Sequence, residues 1–231
     1  MDPNVTEPIV ELVDLAGNAV GRSGKAAAHK APGQLHRTFS VFLLDGSGRV
    51  LIQRRSVTKY HSGGLWSNTC CGHPQPGEQP ADAAARRIAD ELGLQVEPRD
   101  LVAVGTVTYR IADPVSGLSE HEYDHLFVGR TAGKVAPNPN EVAEVVYLSL
   151  EELTPTRLRT GGFTAWLPIV LREAMPALLF ARTTSQASVR VHSAAVVEWT
   201  PEMGVGRAGE HAQHRWWGVR RGRKLRRDRL T

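Results

Sequence analysis

Between Pro80 and Leu92 the chain reads PADAAARRIADEL, a run of strong helix formers with Pro in the first turn and Gly93 directly after its end. Proline is tolerated at the start of a helix, where its missing N–H would have no partner, and glycine ends one readily. A helix is therefore expected over 80–92. On both sides of it the pattern turns strand-like. Upstream, the apolar runs Thr38–Leu44 and Arg49–Gln53 flank Asp45-Gly46-Ser47-Gly48, which reads as a β-hairpin. Downstream, strands are expected at Leu101–Tyr109, His125–Gly129 and Val142–Leu148, then a helix over Phe163–Phe180 that Pro168 and Pro176 kink or shorten. Strands before and after one central helix imply a mixed α/β (α+β) architecture.

A chain of 231 residues can hold one substantial core, and its 41% apolar and 23% charged content is that of an ordinary globular protein. No apolar run approaches the roughly 20 residues of a membrane-spanning helix. The opening MDPNVTEPIVELVD lacks the basic-then-apolar order of a secretory leader, so a cytoplasmic location with no membrane partner is expected. The only cysteines, Cys70 and Cys71, are sequence neighbours and are expected as free thiols. Charge is unevenly spread: residues 1–180 carry 17 Lys/Arg against 20 Asp/Glu, and residues 181–231 carry 11 against 4. The expected organisation is one domain over 1–180 and a basic, disordered tail over 181–231 without catalytic residues. Such a tail attracts phosphates non-specifically, but Trp216 and Trp217 alone do not form a base-stacking platform, so no nucleic-acid partner is expected. A monomer is the working expectation.

The most specific local signal runs from Gly72 to Leu94. It fits the Nudix box spacing, G-x5-E-x7-R-E-U-x-E-E-x-G-U, at Gly72, Glu78, Arg86, Ile88, Glu91, Gly93 and Leu94. It departs at Arg87, where the box carries a glutamate, and at Asp90, the first of the paired acids. Losing an acid to arginine argues against a Nudix pyrophosphohydrolase, the alternative reading, which needs two or three carboxylates on metal to activate water. Glu91 keeps a metal-binding carboxylate.

Just upstream, Asn68, Cys71, Gly72, His73 and Pro74 form the segment N-x-x-C-G-H-P. Here the chain resembles the type 1 isopentenyl-diphosphate isomerases, over roughly Val10–Trp166. The resemblance includes Lys25 to His29, Leu35-His36, Arg54-Arg55, Lys59, Tyr109-Arg110, Glu120-His121-Glu122 and Trp166. It implies a Nudix-like sheet-and-helix sandwich and the interconversion of isopentenyl and dimethylallyl diphosphate, homoallylic and allylic partners in isoprenoid biosynthesis.

The resemblance also assigns roles. His29, His36, His73, Glu120 and Glu122 form a nitrogen-and-oxygen set suited to Mn²⁺ or Zn²⁺. Lys25, Arg55, Lys59 and Arg87 match the positions that bind diphosphate. Mg²⁺ would bridge Glu91, the backbone carbonyl of Cys71 and the substrate. An unactivated alkene must gain one proton and lose another through a tertiary carbocation-like species. Cys71, as a thiolate whose pKa nearby cations or metal lower, would remove one proton, and Glu122 would deliver the other with help from Tyr109. The indole of Trp166 would stabilise the cation. Taken singly, Cys71 reads as a small buried hydrophobe and Trp166 as core filler. Cys70, His61, His121 and His125 have no counterpart in the family pattern and are left without a role.

Overall fold

The computed structural model describes residues 7–113 and 116–184, and the backbone of residues 196–199. Its elements, in chain order, are β1 (Ile9–Val13), β2 (Ala19–Gly24), α1 (Lys25–His29), β3 (His36–Leu44), β4 (Val50–Arg55), β5 (Trp66–Ser67), β6 (Cys70–Gly72), α2 (Pro80–Leu92), β7 (Val102–Ala112), β8 (Ser119–Arg130), β9 (Val142–Leu148), α3 (Pro155–Thr160), α4 (Leu167–Thr183) and β10 (Val196–Trp199).

The central strand is β3, buried along nearly its whole length. Alternate residues of a strand point to opposite faces. Phe39, Val41 and Leu43 accordingly join one apolar cluster with Ala83, Ala84, Ile88 and Leu92 of α2, while Phe42 and Leu44 join a second with Leu167, Val170, Leu171, Ala174 and Leu178 of α4. A strand covered on both faces needs a continuous apolar run, which is what TFSVFLL supplies. The result is a sheet sandwiched between α2 and α4.

The expected hairpin is corrected by the strand pairing. β3 and β4 meet antiparallel only at Leu44↔Val50, around a turn in which Asp45 Oδ1 accepts from the backbone N–H of Ser47 and Arg49. Beyond that pair they part. β3 runs parallel to β8 from His36↔Glu122 to Leu44↔Arg130 and antiparallel to β6, whereas β4 pairs with β9 and β5. The local turn is as the residues dictate; the partners on either side come from distant segments that no local pattern specifies.

The helix over 80–92 is α2, closed by Gly93 at φ 65°, a left-handed conformation that suits glycine. The helix expected at 163–180 lies at 167–183, with Trp166 at its N-cap, Pro168 in its first turn and Pro176 inside it. β8 extends well upstream of the expected His125, through Ser119-Glu120-His121-Glu122-Tyr123-Asp124. Apart from β10, whose backbone pairs parallel with β7, the expected tail beyond Thr184 lies outside the described residues.

Candidate active site

A cavity of about 730 Å³ opens where these elements converge. Lys25, Arg55, Lys59, Cys71, His73, Arg87, Glu91, Tyr109, Glu120, Glu122 and Trp166 line it, so these expected site residues share one space although they come from six elements and their connecting loops. His29 and His36, fully buried, lie behind the wall.

Histidine geometry comes first. His29 Nδ1 lies 2.7 Å from the carbonyl of Lys25, and His36 Nδ1 lies 2.8 Å from that of Gln34. Each Nδ1–H donates to a carbonyl, which turns the Nε2 lone pair inward. His36 Nε2 is 3.0 Å from His73 Nε2, and both are within 3.8 Å of Glu122 Oε1. Donor atoms of His29, His36, His73 and Glu122 all lie within 4.8 Å of one another. Glu120 falls outside that group and forms a second one with His29 and His61. Buried His29 Nε2 and Glu120 Oε2 have no hydrogen-bond partner. An orphaned buried polar atom costs about 1 to 3 kcal/mol, so this arrangement fits a divalent ion that would engage the inward-facing donors. Burial pushes His36 down to about 4 and His73 well below its ordinary range, leaving both neutral, the state that ligates.

The four residues expected to bind diphosphate all line the cavity, and two of them are already ion-paired. Arg87 and Lys59 both contact Glu141, Arg87 also pairs with Glu91, and Lys59 Nζ lies 3.9 Å from Glu91 Oε1. Glu91 is almost fully buried and also accepts from Gln53 Nε2 at 3.1 Å. Arg55 stacks 5.3 Å over the Trp166 ring, and its buried Nε has no partner. Burial, then the charges of Lys59 and Arg55, push Lys25 below its ordinary value, as expected where cations are crowded to receive an anion.

The remaining acid–base groups sit deeper. Tyr109 and Glu122 face each other across the β7–β8 ladder, and the Tyr109 hydroxyl donates to Glu122 Oε2. Thr38 Oγ1 donates to the same oxygen at 3.3 Å. Strand alternation separates the two cysteines: Cys70 is buried in the α2 cluster with its Sγ 3.6 Å from Glu91, whereas Cys71 packs on the other face and borders the cavity. Asn68 holds this segment in place, its Nδ2 donating to the Cys70 carbonyl and its Oδ1 accepting from Trp166 Nε1.

The NUDIX domain family matches residues 34–167. An isopentenyl-diphosphate Delta-isomerase of Streptomyces griseus is 52% identical over 170 residues, 74% of this chain and 85% of that protein. Those of Streptomyces coelicolor, at 53% over the same shares, and of Nocardia farcinica, at 46% over 71% of this chain and 93% of the relative, agree. The chain belongs to the isopentenyl-diphosphate Delta-isomerase family. Its fold is shared with a crystal structure of DR0079 from Deinococcus radiodurans, at a TM-score of 0.56 and 20% identity over 71% of this chain and 97% of that one.

In the metal-free protein burial pushes the Cys71 thiol up to about 12, and the opposing charge of Arg55 offsets this only in part. The sequence reading missed three polar residues at the site. Asp124 continues the alternation of Glu120 and Glu122 along β8, accepts from Ser40 Oγ at 2.8 Å, and is held well above its ordinary value by burial and by Glu122. The spacing of three acids two residues apart was the available signal. Glu141 and His61 lie in loops and had no such pattern.

Proposed function

We propose that this chain interconverts isopentenyl diphosphate and dimethylallyl diphosphate by adding a proton to one carbon of the alkene and removing one from another. The observation that carries this reading is the meeting of Cys71 and the Tyr109–Glu122 pair in one cavity rimmed by Lys25, Arg55, Lys59 and Arg87. The cations hold the diphosphate, Arg55 with a planar fork and the lysines as point charges. Proton entry at the terminal alkene carbon leaves a tertiary carbocation, and loss of the neighbouring proton restores a double bond. Glu122, relayed by the Tyr109 hydroxyl, gives one proton, and Cys71, as a thiolate favoured by the nearby cations and metal, takes the other; the opposite direction runs the exchange backwards. The buried indole of Trp166 offers an electron-rich face that does not bond to the cation.

When bound, divalent metal supplies fixed positive charge: Mn²⁺ or Zn²⁺ suits His29, His36, His73, Glu120 and Glu122, and Mg²⁺ suits Glu91, the Cys71 carbonyl and the diphosphate oxygens. Hydrolysis is the poorer reading because the box acids are engaged elsewhere. Glu78 is held bidentately by Arg86, and the half-exposed Asp90 faces Arg86 and Arg87. The reading further places the catalytic unit within residues 1–180, with the basic tail outside it, and the enzyme in the cytoplasm as a monomer. Among the described residues no helix is long and apolar enough to cross a membrane. Incubation of the purified protein with isopentenyl diphosphate and Mg²⁺ tests the activity: dimethylallyl diphosphate supports it, and released phosphate favours the hydrolase.

A further inference from the structure

The sequence pattern leaves His61 without a role, yet the fold builds a tight loop to present it. Arg55 N–H donates to the Leu65 carbonyl at 2.9 Å and Gly64 N–H to the Arg55 carbonyl at 3.0 Å, closing residues 55–65 on themselves. Within the loop Ser62 and Gly64 take left-handed conformations, φ 49° and 77°. A Cβ at Gly63 would stand 2.9 Å from the Val57 carbonyl oxygen, so the backbone there leaves no room for a side chain.

The loop turns the His61 ring inward, with 9% of its side chain exposed. Its Nδ1 lies 3.0 Å from Glu120 Oε1, while the other oxygen, Oε2, lies 3.2 Å from His29 Nε2. The Glu120 carboxylate is thus bracketed by two rings, themselves stacked with centroids 5.8 Å apart. In the tautomer with the proton on Nδ1, the ring faces Glu120 Oε1 as a donor at this distance. The same ring packs edge-on against Trp166 at 5.9 Å and Tyr60 at 4.4 Å, and the His61 carbonyl accepts from Arg55 Nη2 at 3.3 Å.

We infer that His61 is a positioning residue for Glu120: it holds Oε1 so that Oε2 faces His29 and the ion. This rests on the reading of the His/Glu cluster as a resident metal site. Partners that orient a ligating side chain matter because a carboxylate left to rotate loses its preset geometry. Glu120 and Glu122 stand two residues apart on one face of β8, so a partner that fixes one carboxylate keeps the two distinct.

The test uses full-length protein loaded with Mn²⁺ and dialysed against a chelator, with retained metal as the readout. His61→Ala should lose the ion roughly 10- to 100-fold more readily than the parent. His61→Asn, whose amide N–H can reach the Nδ1 position, should recover much of the retention. His61→Phe keeps the ring packed on Trp166 but removes the donor, so it should lose the ion as readily as is expected of alanine, and it decides the question even where the alanine variant fails to fold. Retention in His61→Phe equal to the parent, or no recovery in His61→Asn, overturns the inference while leaving the metal site standing. A parent protein that holds no ion overturns both.

Discussion

The hydroxyl of Tyr109 donates to Oε2 of Glu122 across the register pair that joins β7 to β8, and the 3.4 Å contact to Asp124 Oδ2 holds it on the far side. A phenol set between two carboxyl groups can pass a proton without moving. General acid–base groups contribute about 100- to 10,000-fold. Tyr109→Phe, which keeps the buried ring, should therefore lower kcat by roughly the smaller of those factors with little change in KM or metal content. An unchanged kcat would remove Tyr109 from the relay.

The cysteines should separate cleanly. Cys71→Ala should reduce turnover by at least about 1,000-fold, within the range of a lost acid–base group. Cys70→Ala should keep most activity and lose about 1 to 2 kcal/mol of stability, because its side chain fills the α2 cluster. Equal activity losses in the two variants would break the distinction drawn from strand alternation.

Burial of the Cys71 thiol gives a pH dependence with a definite sign. Alkylation requires the thiolate, whose fraction grows roughly tenfold per pH unit below the pKa. With the thiol pushed up to about 12, the alkylation rate of metal-free protein should still be climbing at about pH 10. A plateau below that pH would show that nearby cations outweigh burial after all.

Two metal roles rest on different ligands. His36→Ala or His73→Ala should lower the divalent metal content of the purified protein, because their Nε2 atoms meet at 3.0 Å. Glu91→Gln should leave that content unchanged and weaken the Mg²⁺ dependence of turnover, since Glu91 pairs with the cations expected to bind diphosphate. Metal analysis with Mg²⁺ titrations checks this. Loss of the resident ion in Glu91→Gln would merge the two sites.

The end of α4 is tied down at Thr184, whose carbonyl accepts from Arg130 Nη2 at 2.7 Å. Ending the chain after Thr184 should leave kcat within a few-fold. Ending it before Arg182 should also cost about 1 to 3 kcal/mol, the scale of hydrogen bonds to a charged group. Thermal melts and kcat of the two truncations distinguish these outcomes.

Much of the site was legible because its residues stand in short, spaced motifs: the Cys71-Gly72-His73 run, the alternating Glu120 and Glu122, and the α2 helix with its Pro80 and Gly93 ends. What was lost was lost for physical reasons. The upstream half of β8 is rich in charge and lies outside the apolar run that marks a strand at His125–Gly129, although Glu120 and Glu122 face the cavity instead of solvent. The β3–β8 pairing joins residues 36–44 to 122–130, a separation that local pattern cannot bridge. His61 escaped because its role depends on where a closed loop aims one ring.

The central claim is a proton exchange between solvent-linked groups and the substrate carbons, without cleavage of the diphosphate. Turnover of isopentenyl diphosphate in D₂O with Mg²⁺, followed by proton and phosphorus NMR, tests it most directly. The account predicts dimethylallyl diphosphate carrying solvent deuterium in a methyl group, with the diphosphate intact and with no exchange in Cys71→Ala. Appearance of inorganic phosphate or isopentenyl monophosphate without deuterium in the carbon skeleton would contradict it.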